Sequence, residues 1–229
     1  MSRRDRKSKT STKDVKRIFK IFTEGEETEP RYIRAYVEDY LKQHNCFGKI
    51  LFAFKPKNHD PKSLLENAKE AKVSKVDNVW IVFDRDGHDK IPATFKEARE
   101  NGIEIAFSSI SFETWVLMHF EYTTAEYASC EALVSDLRHF KKYIPDYKKA
   151  MPELFSIASA KGGLARAINN AEKLCVEVPK GYAHNKPIYM MNPYTDFYRL
   201  LDAIDDFIGV EKNDKRQKTA HCVTKTVRQ

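Results

Sequence analysis

The chain has 229 residues, 41% of them hydrophobic and 12% aromatic, with 40 Lys+Arg against 33 Asp+Glu and a formal charge of +7. That apolar fraction supports a buried core and excludes wholesale disorder, and the length accommodates one large domain or a core with an appendage. No run reaches the roughly 20 apolar residues of a membrane helix, and no apolar stretch follows the basic N-terminus, so no secretory signal is expected.

The basic excess sits at the ends. Residues 1–17 carry a net +6 and residues 210–229 a net +4, which leaves residues 18–209 at −3. Residues 1–16 read as a disordered basic arm and 209–229 as a basic tail. Ile18 to Thr23 is a short β-rich run that ends at Glu24-Gly25. Pro30 suits the first turn of a helix, and Ile33, Tyr36, Val37, Tyr40 and Leu41 continue it as one apolar face. Lys49 to Phe54 gives a second strand, and Asp60-Pro61 caps a helix carrying Leu64, Leu65, Ala68 and Ala71. Asn78 to Phe83 is apolar throughout, as a strand covered on both faces requires, and it runs into Asp84-Arg85-Asp86-Gly87. A helix with Ile91, Phe95 and Ala98 stops at Asn101-Gly102, Ile103 to Phe107 forms a fourth strand, and Phe112 to Phe120 another helix.

This alternation predicts an α/β fold with a mostly parallel four-stranded sheet, Rossmann-like, with helices on both faces over residues 17–120. Beyond Phe120 the strand signal fades. Segments near 129–143, 162–176 and 195–208 read as helical, joined by loops around Pro145, Pro152, Pro179, Pro187 and Pro193. Residues 121–208 are therefore expected to be a helical elaboration packed on the core, serving as a lid or a dimerisation surface. Cys46, Cys130, Cys175 and Cys222 are widely spaced and form no Cys-x-x-Cys, so reduced thiols in a cytoplasmic protein are expected, not a zinc site.

Ligands of open α/β sheets bind beyond the carboxyl ends of the strands, and that edge collects acids here. Glu24 follows the first strand with Glu26, Glu27 and Glu29 behind it, Asp84 and Asp86 follow the third, and Glu113 opens the helix after the fourth. Each alone has a plainer explanation: Asp-x-Asp-Gly makes turns, and Glu113 complements a helix dipole. Their coincidence at one edge points to a site for a hard divalent ion, Mg²⁺ or Mn²⁺, with Gly25 and Gly87 allowing close backbone approach to a phosphate.

Glu24-Gly25 and Asp84-Arg85-Asp86-Gly87 resemble the Toprim signature of topoisomerases, bacterial primases and OLD-family nucleases. Thr23-Glu24-Gly25-Glu26-Glu27-Thr28-Glu29-Pro30-Arg31-Tyr32, Phe83 to Asp86, Ser111 to Phe120 and Asn192-Pro193-Tyr194-Thr195 resemble the motifs of RloB-like (AbiLii-like) proteins. The resemblance spans about residues 17–208. It implies a Toprim-like fold, a prokaryotic phage-defence or abortive-infection setting, and Mg²⁺-dependent cleavage of DNA or RNA, tRNA among the candidates. Glu24 then serves as general acid/base or metal ligand, Asp84 and Asp86 as metal ligands, and Glu113 as a further ligand. Two departures stand out. Ser109-Ile110-Ser111 replaces the Ser-Asn-Pro common in such proteins, and Thr28 stands where many Toprim sites have an acid, leaving Glu27 or Glu29 to substitute.

Lys161-Gly162-Gly163 before a helix offers either a phosphate site or a simple turn, and Arg85 either a phosphate contact or an ion pair. His88 reads as a solvated loop residue or a group that orients water. His119 reads as a packed core histidine, and Tyr32, Tyr36 and Tyr40 as a core stripe. The expected partners are nucleic acid and a defence ATPase, with homo-oligomerisation open and no membrane. The rival expectation is a non-catalytic, nucleic-acid-binding or regulatory Toprim-like subunit of that ATPase.

Overall fold

The structure, a computed structural model, describes residues 17–44, 50–56, 60–73, 77–85, 87–88, 90–182 and 186–208. Asp86 and the two basic tails lie outside the described residues. Among the described residues, five strands form one sheet: β1 (Arg17–Thr23), β2 (Ile50–Pro56), β3 (Asn78–Asp84), β4 (Glu104–Ser109) and β5 (Tyr194–Thr195), in the order β2-β1-β3-β4-β5. The first four are parallel, with Phe19 opposite Asn78 and Trp80 opposite Glu104. Val79 to Phe83 are all buried, which explains the unbroken apolar run of β3: both faces of the sheet are covered.

The helices alternate with the strands. α1 (Thr28–His44) follows β1, α2 (Pro61–Ala71) follows β2, α3 (Ile91–Glu100) follows β3, and α4 (Glu113–Met118) follows β4. Asp60 caps α2 by accepting from the N–H groups of Lys62 (3.1 Å) and Ser63 (3.4 Å). Gly102 ends α3 at φ +61°, where a side chain is disfavoured, while the Ile103 N–H returns to the Ala98 carbonyl at 2.9 Å. α2 and α3 cover one face, where Phe95 packs edge-on against Phe83 and Phe107. α1 and α4 cover the other.

After α4 come α5 (Cys130–Ser135), running into a π-helical turn (Asp136–Phe140), then α6 (Leu154–Ser159), α7 (Gly163–Glu177) and α8 (Tyr198–Ile208). α7 lies on α4, where Asn170 donates to the Met118 carbonyl at 2.8 Å. α8 lies beside α1: Phe207 packs edge-on against Phe19, and the Tyr36 hydroxyl donates to Asp205. Buried apolar residues from Phe19 to Ile208 form one continuous cluster.

Two features correct the sequence expectation. The sheet has a fifth strand, and the helix expected from residue 195 begins at Tyr198. Tyr194 and Thr195 instead pair antiparallel with Ser109 and Ser108, and Asp196 accepts the Phe107 N–H at 2.8 Å. A two-residue strand has no periodicity to read; its existence depends on β4 presenting an open edge. α6 was not expected either, because six residues behind Pro152 read as loop. Among the described residues, no helix is long and apolar enough to cross a membrane.

Candidate active site

With β1 between β2 and β3, the connections leaving β1 and β3 turn to opposite faces. A crevice therefore opens over the carboxyl ends of these two strands. Glu24 is the first residue beyond β1, and its N–H donates to the Val82 carbonyl at 2.9 Å, continuing the ladder. Asp84 closes β3, and its N–H donates to Glu24 Oε2 at 3.3 Å. These two sequence-distant acids are thus neighbours at the strand ends, joined through the Asp84 backbone. Asp84 Oδ2 accepts the Phe112 N–H at 2.9 Å, which fastens β3 to the turn before α4. That brings in Glu113, only 2% exposed, whose Oε1 accepts the Tyr147 hydroxyl at 2.8 Å and whose Oε2 lies 3.5 Å from Cys130 Sγ.

A fourth acid joins them. Glu29, in the first turn of α1, is 7% exposed and folds back over Gly25. A Cβ on Gly25 would lie 2.2 Å from Glu29 Oε2, so the glycine makes room for the carboxyl itself. The two acids left open in the sequence, Glu27 and Glu29, differ in their surroundings. Both border the cavity, but Glu27 is exposed and paired with Arg31 at 3.0 Å, whereas Glu29 is buried. Thr28, the departure from the Toprim pattern, uses its hydroxyl to accept the Ala150 N–H at 2.9 Å, and Arg31 donates to the Ala150 carbonyl. The loop carrying Tyr147 and Lys149 is thereby pinned to the start of α1.

Gly25, Glu29, Asp84, Phe112, Glu113 and Lys149 line a cavity of about 240 Å³. Burial pushes the Glu29 carboxyl up to about 7; its own N–H opposes the rise, Glu113 and Glu24 add to it, and Lys149 opposes it weakly. Asp84 is held well above the usual carboxylate range, first by burial and then by Glu29 and Glu113. Burial works against the charge on Lys149, but attraction from Glu113, Cys130 and Asp84 outweighs it and raises the ammonium. The cavity is thus a set of mutually repelling carboxylates beside one cation.

An all-oxygen donor set under like-charge repulsion is what a hard divalent ion relieves, so the residues fit Mg²⁺ by chemistry. Among the described residues, no three His, Cys, Asp or Glu side chains are already grouped closely enough to hold an ion. Asp86, expected as a ligand, lies outside them.

The other candidates separate cleanly. His88 is no freely solvated loop residue: its Nε2 lies 2.7 Å from Glu24 Oε1. Arg85 anchors its N–H to the Ser108 carbonyl and lines a neighbouring cavity of about 460 Å³ with His88, Ile110 and Tyr189. Lys161 occupies an exposed turn with φ +52°, and no described contact brings it to the acids. Gly163 serves packing, since a Cβ there would lie 1.8 Å from the Ala158 carbonyl oxygen. His119 is a core residue as expected. Nδ1 faces the Trp115 carbonyl at 3.0 Å and must carry the proton, so the Tyr32 hydroxyl donates to Nε2 at 2.7 Å. Burial pulls its imidazole down to about 4. Tyr32 and Tyr36 are buried as a core stripe requires; the side chain of Tyr40 lies outside the description.

Sequence reasoning missed Tyr147, Cys130 and Lys149, which carry no local pattern. Glu29 did have a signal, since it extends the buried α1 stripe of Ile33, Tyr36 and Val37 by one turn. No curated protein and no solved structure matches the chain. A family model described as RloB-like protein matches residues 19–204, a span containing Glu24, Glu29, Asp84 and Glu113.

Proposed function

We propose, from the premise that the chain belongs to the RloB-like family, that it is a Toprim-like, divalent-metal-dependent nuclease. Its setting in this reading is cytoplasmic, in prokaryotic phage defence or abortive infection, with a defence ATPase as partner. The observation that carries the reading is the meeting of Glu24, Glu29, Asp84 and Glu113 at the switch point between β1 and β3. Asp84, Glu113 and Glu29 are the residues that would hold the ion, with Asp86 following β3. A bound Mg²⁺ supplies charge neutralisation at the phosphodiester and a more acidic water.

The chain's own groups do the rest. Glu24 accepts the proton of the attacking water, and His88 at 2.7 Å holds its carboxylate in one orientation. Lys149 places a cation at the cavity wall, where charge develops on the phosphate oxygens. Tyr147 fixes the Glu113 carboxylate by donating to one of its oxygens.

The test is cleavage of a panel of DNA, RNA and tRNA with Mg²⁺ or Mn²⁺, with and without the partner ATPase. Wild type is expected to cut, and Glu24→Gln and Asp84→Asn to lose the activity while staying folded. Equal cutting by these variants defeats the reading. One observation favours the rival, a non-catalytic nucleic-acid-binding subunit: the described acids are not already in ion-holding geometry. In that case Asp84→Asn leaves binding intact, and protection from phage does not depend on the acids.

A further inference from the structure

We propose that a second cavity, walled by α5, the π-helical turn and the Tyr147–Lys149 loop, is a phosphate site for the strand presented to the acidic cavity. The strand assignment rests on the nuclease reading; the phosphate assignment does not. The cavity measures about 470 Å³, and Ser135, Arg138, His139, Tyr147, Lys148 and Lys149 line it. That size suits a nucleotide unit.

Three permanent cations and a histidine face one carboxylate there, Glu131. Glu131 is already engaged in the first turn of α5, where its own N–H and the Ser129 hydroxyl hold its carboxyl below the usual range. It stays ionised and offsets one of the three positive charges, which leaves the cavity net positive. Among the described residues, neither Arg138 nor Lys148 has an ion-pair partner. The Arg138 Nε–H is buried and has no hydrogen-bond acceptor, an uncommon state for a buried donor. A guanidinium beside an ammonium is the pairing that phosphate oxygens fit best.

The position adds a second argument. Lys149 lines both this cavity and the acidic one. Tyr147 and Cys130 form the wall between them, and both reach Glu113 on the acidic side. A polyanion laid across that wall puts one phosphate at the carboxylates and a neighbouring one at Arg138 and Lys148.

The experiment measures binding of labelled single-stranded DNA and RNA oligonucleotides of one sequence to the full chain by fluorescence anisotropy in EDTA. Adenosine monophosphate and inorganic phosphate serve as competitors. Lys148→Gln, at an exposed position, is expected to weaken oligonucleotide binding about fivefold or more and to lower the salt dependence by roughly 0.7 in log–log slope. Arg138→Lys keeps the charge and loses the fork, so it is expected to weaken binding with the salt slope unchanged. Wild-type affinity in both variants for oligonucleotide, monophosphate and phosphate overturns the proposal. Loss confined to the free phosphates overturns the strand assignment. Because no cleavage is needed, a chain that cuts nothing yet shows these losses keeps the phosphate site and refutes the nuclease reading instead.

Discussion

Replacing Glu29 by Gln is expected to stabilise the metal-free protein increasingly as pH rises from 5 to 8. Burial, with repulsion from Glu113 and Glu24, lifts this carboxyl from 4.5 to about 7 against the pull of its own N–H. Below pH 4.5 the group is protonated in both folded and unfolded chains and has no effect on stability. Between 4.5 and 7 the unfolded chain releases its proton first, so stability falls as pH rises, and above 7 the loss is complete. Integration gives a loss of about 0.8 kcal/mol by pH 5 and about 3.3 kcal/mol by pH 8. Wild type alone would hide this. Buried His119, lowered from 6.5 to about 4, contributes stability that is present above 6.5 and lost as pH falls toward 4, an opposing trend in an overlapping window. The informative quantity is therefore the gap between Glu29→Gln and wild type, measured by urea denaturation in EDTA at pH 5, 6, 7 and 8. That gap should widen by about 2.5 kcal/mol, equivalent to roughly 5–10 °C in Tm for a chain of this size. Excess Mg²⁺ at pH 8 should narrow it, since a bound ion offsets the same repulsion. A gap that is identical at pH 5 and pH 8 refutes the buried, repelled carboxyl and the packing that produces it.

Gly25→Ala should reproduce the pH behaviour of Glu29→Gln in the same denaturation series, because the new Cβ displaces a side-chain carboxyl and no backbone; wild-type pH dependence in this variant would contradict the packing. Gly163→Ala meets a backbone carbonyl at 1.8 Å instead, so a loss of about 3 kcal/mol is expected by chemical denaturation, and less than about 1 kcal/mol would show that α7 does not start against Ala158. His88→Gln should lower Mg²⁺-dependent cleavage about 10²-fold with Tm and oligonucleotide affinity unchanged; an unaltered kcat would remove His88 from the proton-handling role.

The four parallel strands and the helices between them were legible because each had a local cause. β3 shows its double burial as a continuous apolar run, α2 shows its start in Asp60-Pro61, and α3 shows its end in Gly102. β5 had no such cause, since Tyr194 and Thr195 become a strand only beside Ser108 and Ser109. The site divides the same way. Glu24 and Asp84 were legible because strand ends on a parallel sheet are forced together by topology. Glu29 was ambiguous with Glu27 until helical phase was considered, and it is the residue in register with Ile33 that turns inward. Tyr147 and Lys149 lie in a loop whose position is set by Thr28 and Arg31, more than a hundred residues away in sequence, and no spacing rule encodes that.

The formal +7 describes neither surface at the crevice. Its excess belongs to the tails, and the body holds two small fields of opposite sign that nearly cancel in the sum. The acidic field is weaker at neutral pH than four carboxylates would suggest, because Glu29 titrates at about 7 and Asp84 holds its proton well above the ordinary range. A phosphate arriving at Arg138 and Lys148 therefore meets less repulsion across the Tyr147 wall than a count of charges implies. Lys149 borders both fields, and its ammonium is held charged mainly by Glu113 on the acidic side. A divalent ion among the carboxylates would weaken that hold and release Lys149 toward a phosphate. Each ligand would then favour the other through one shared side chain, and linkage requires the two effects to be equal in size.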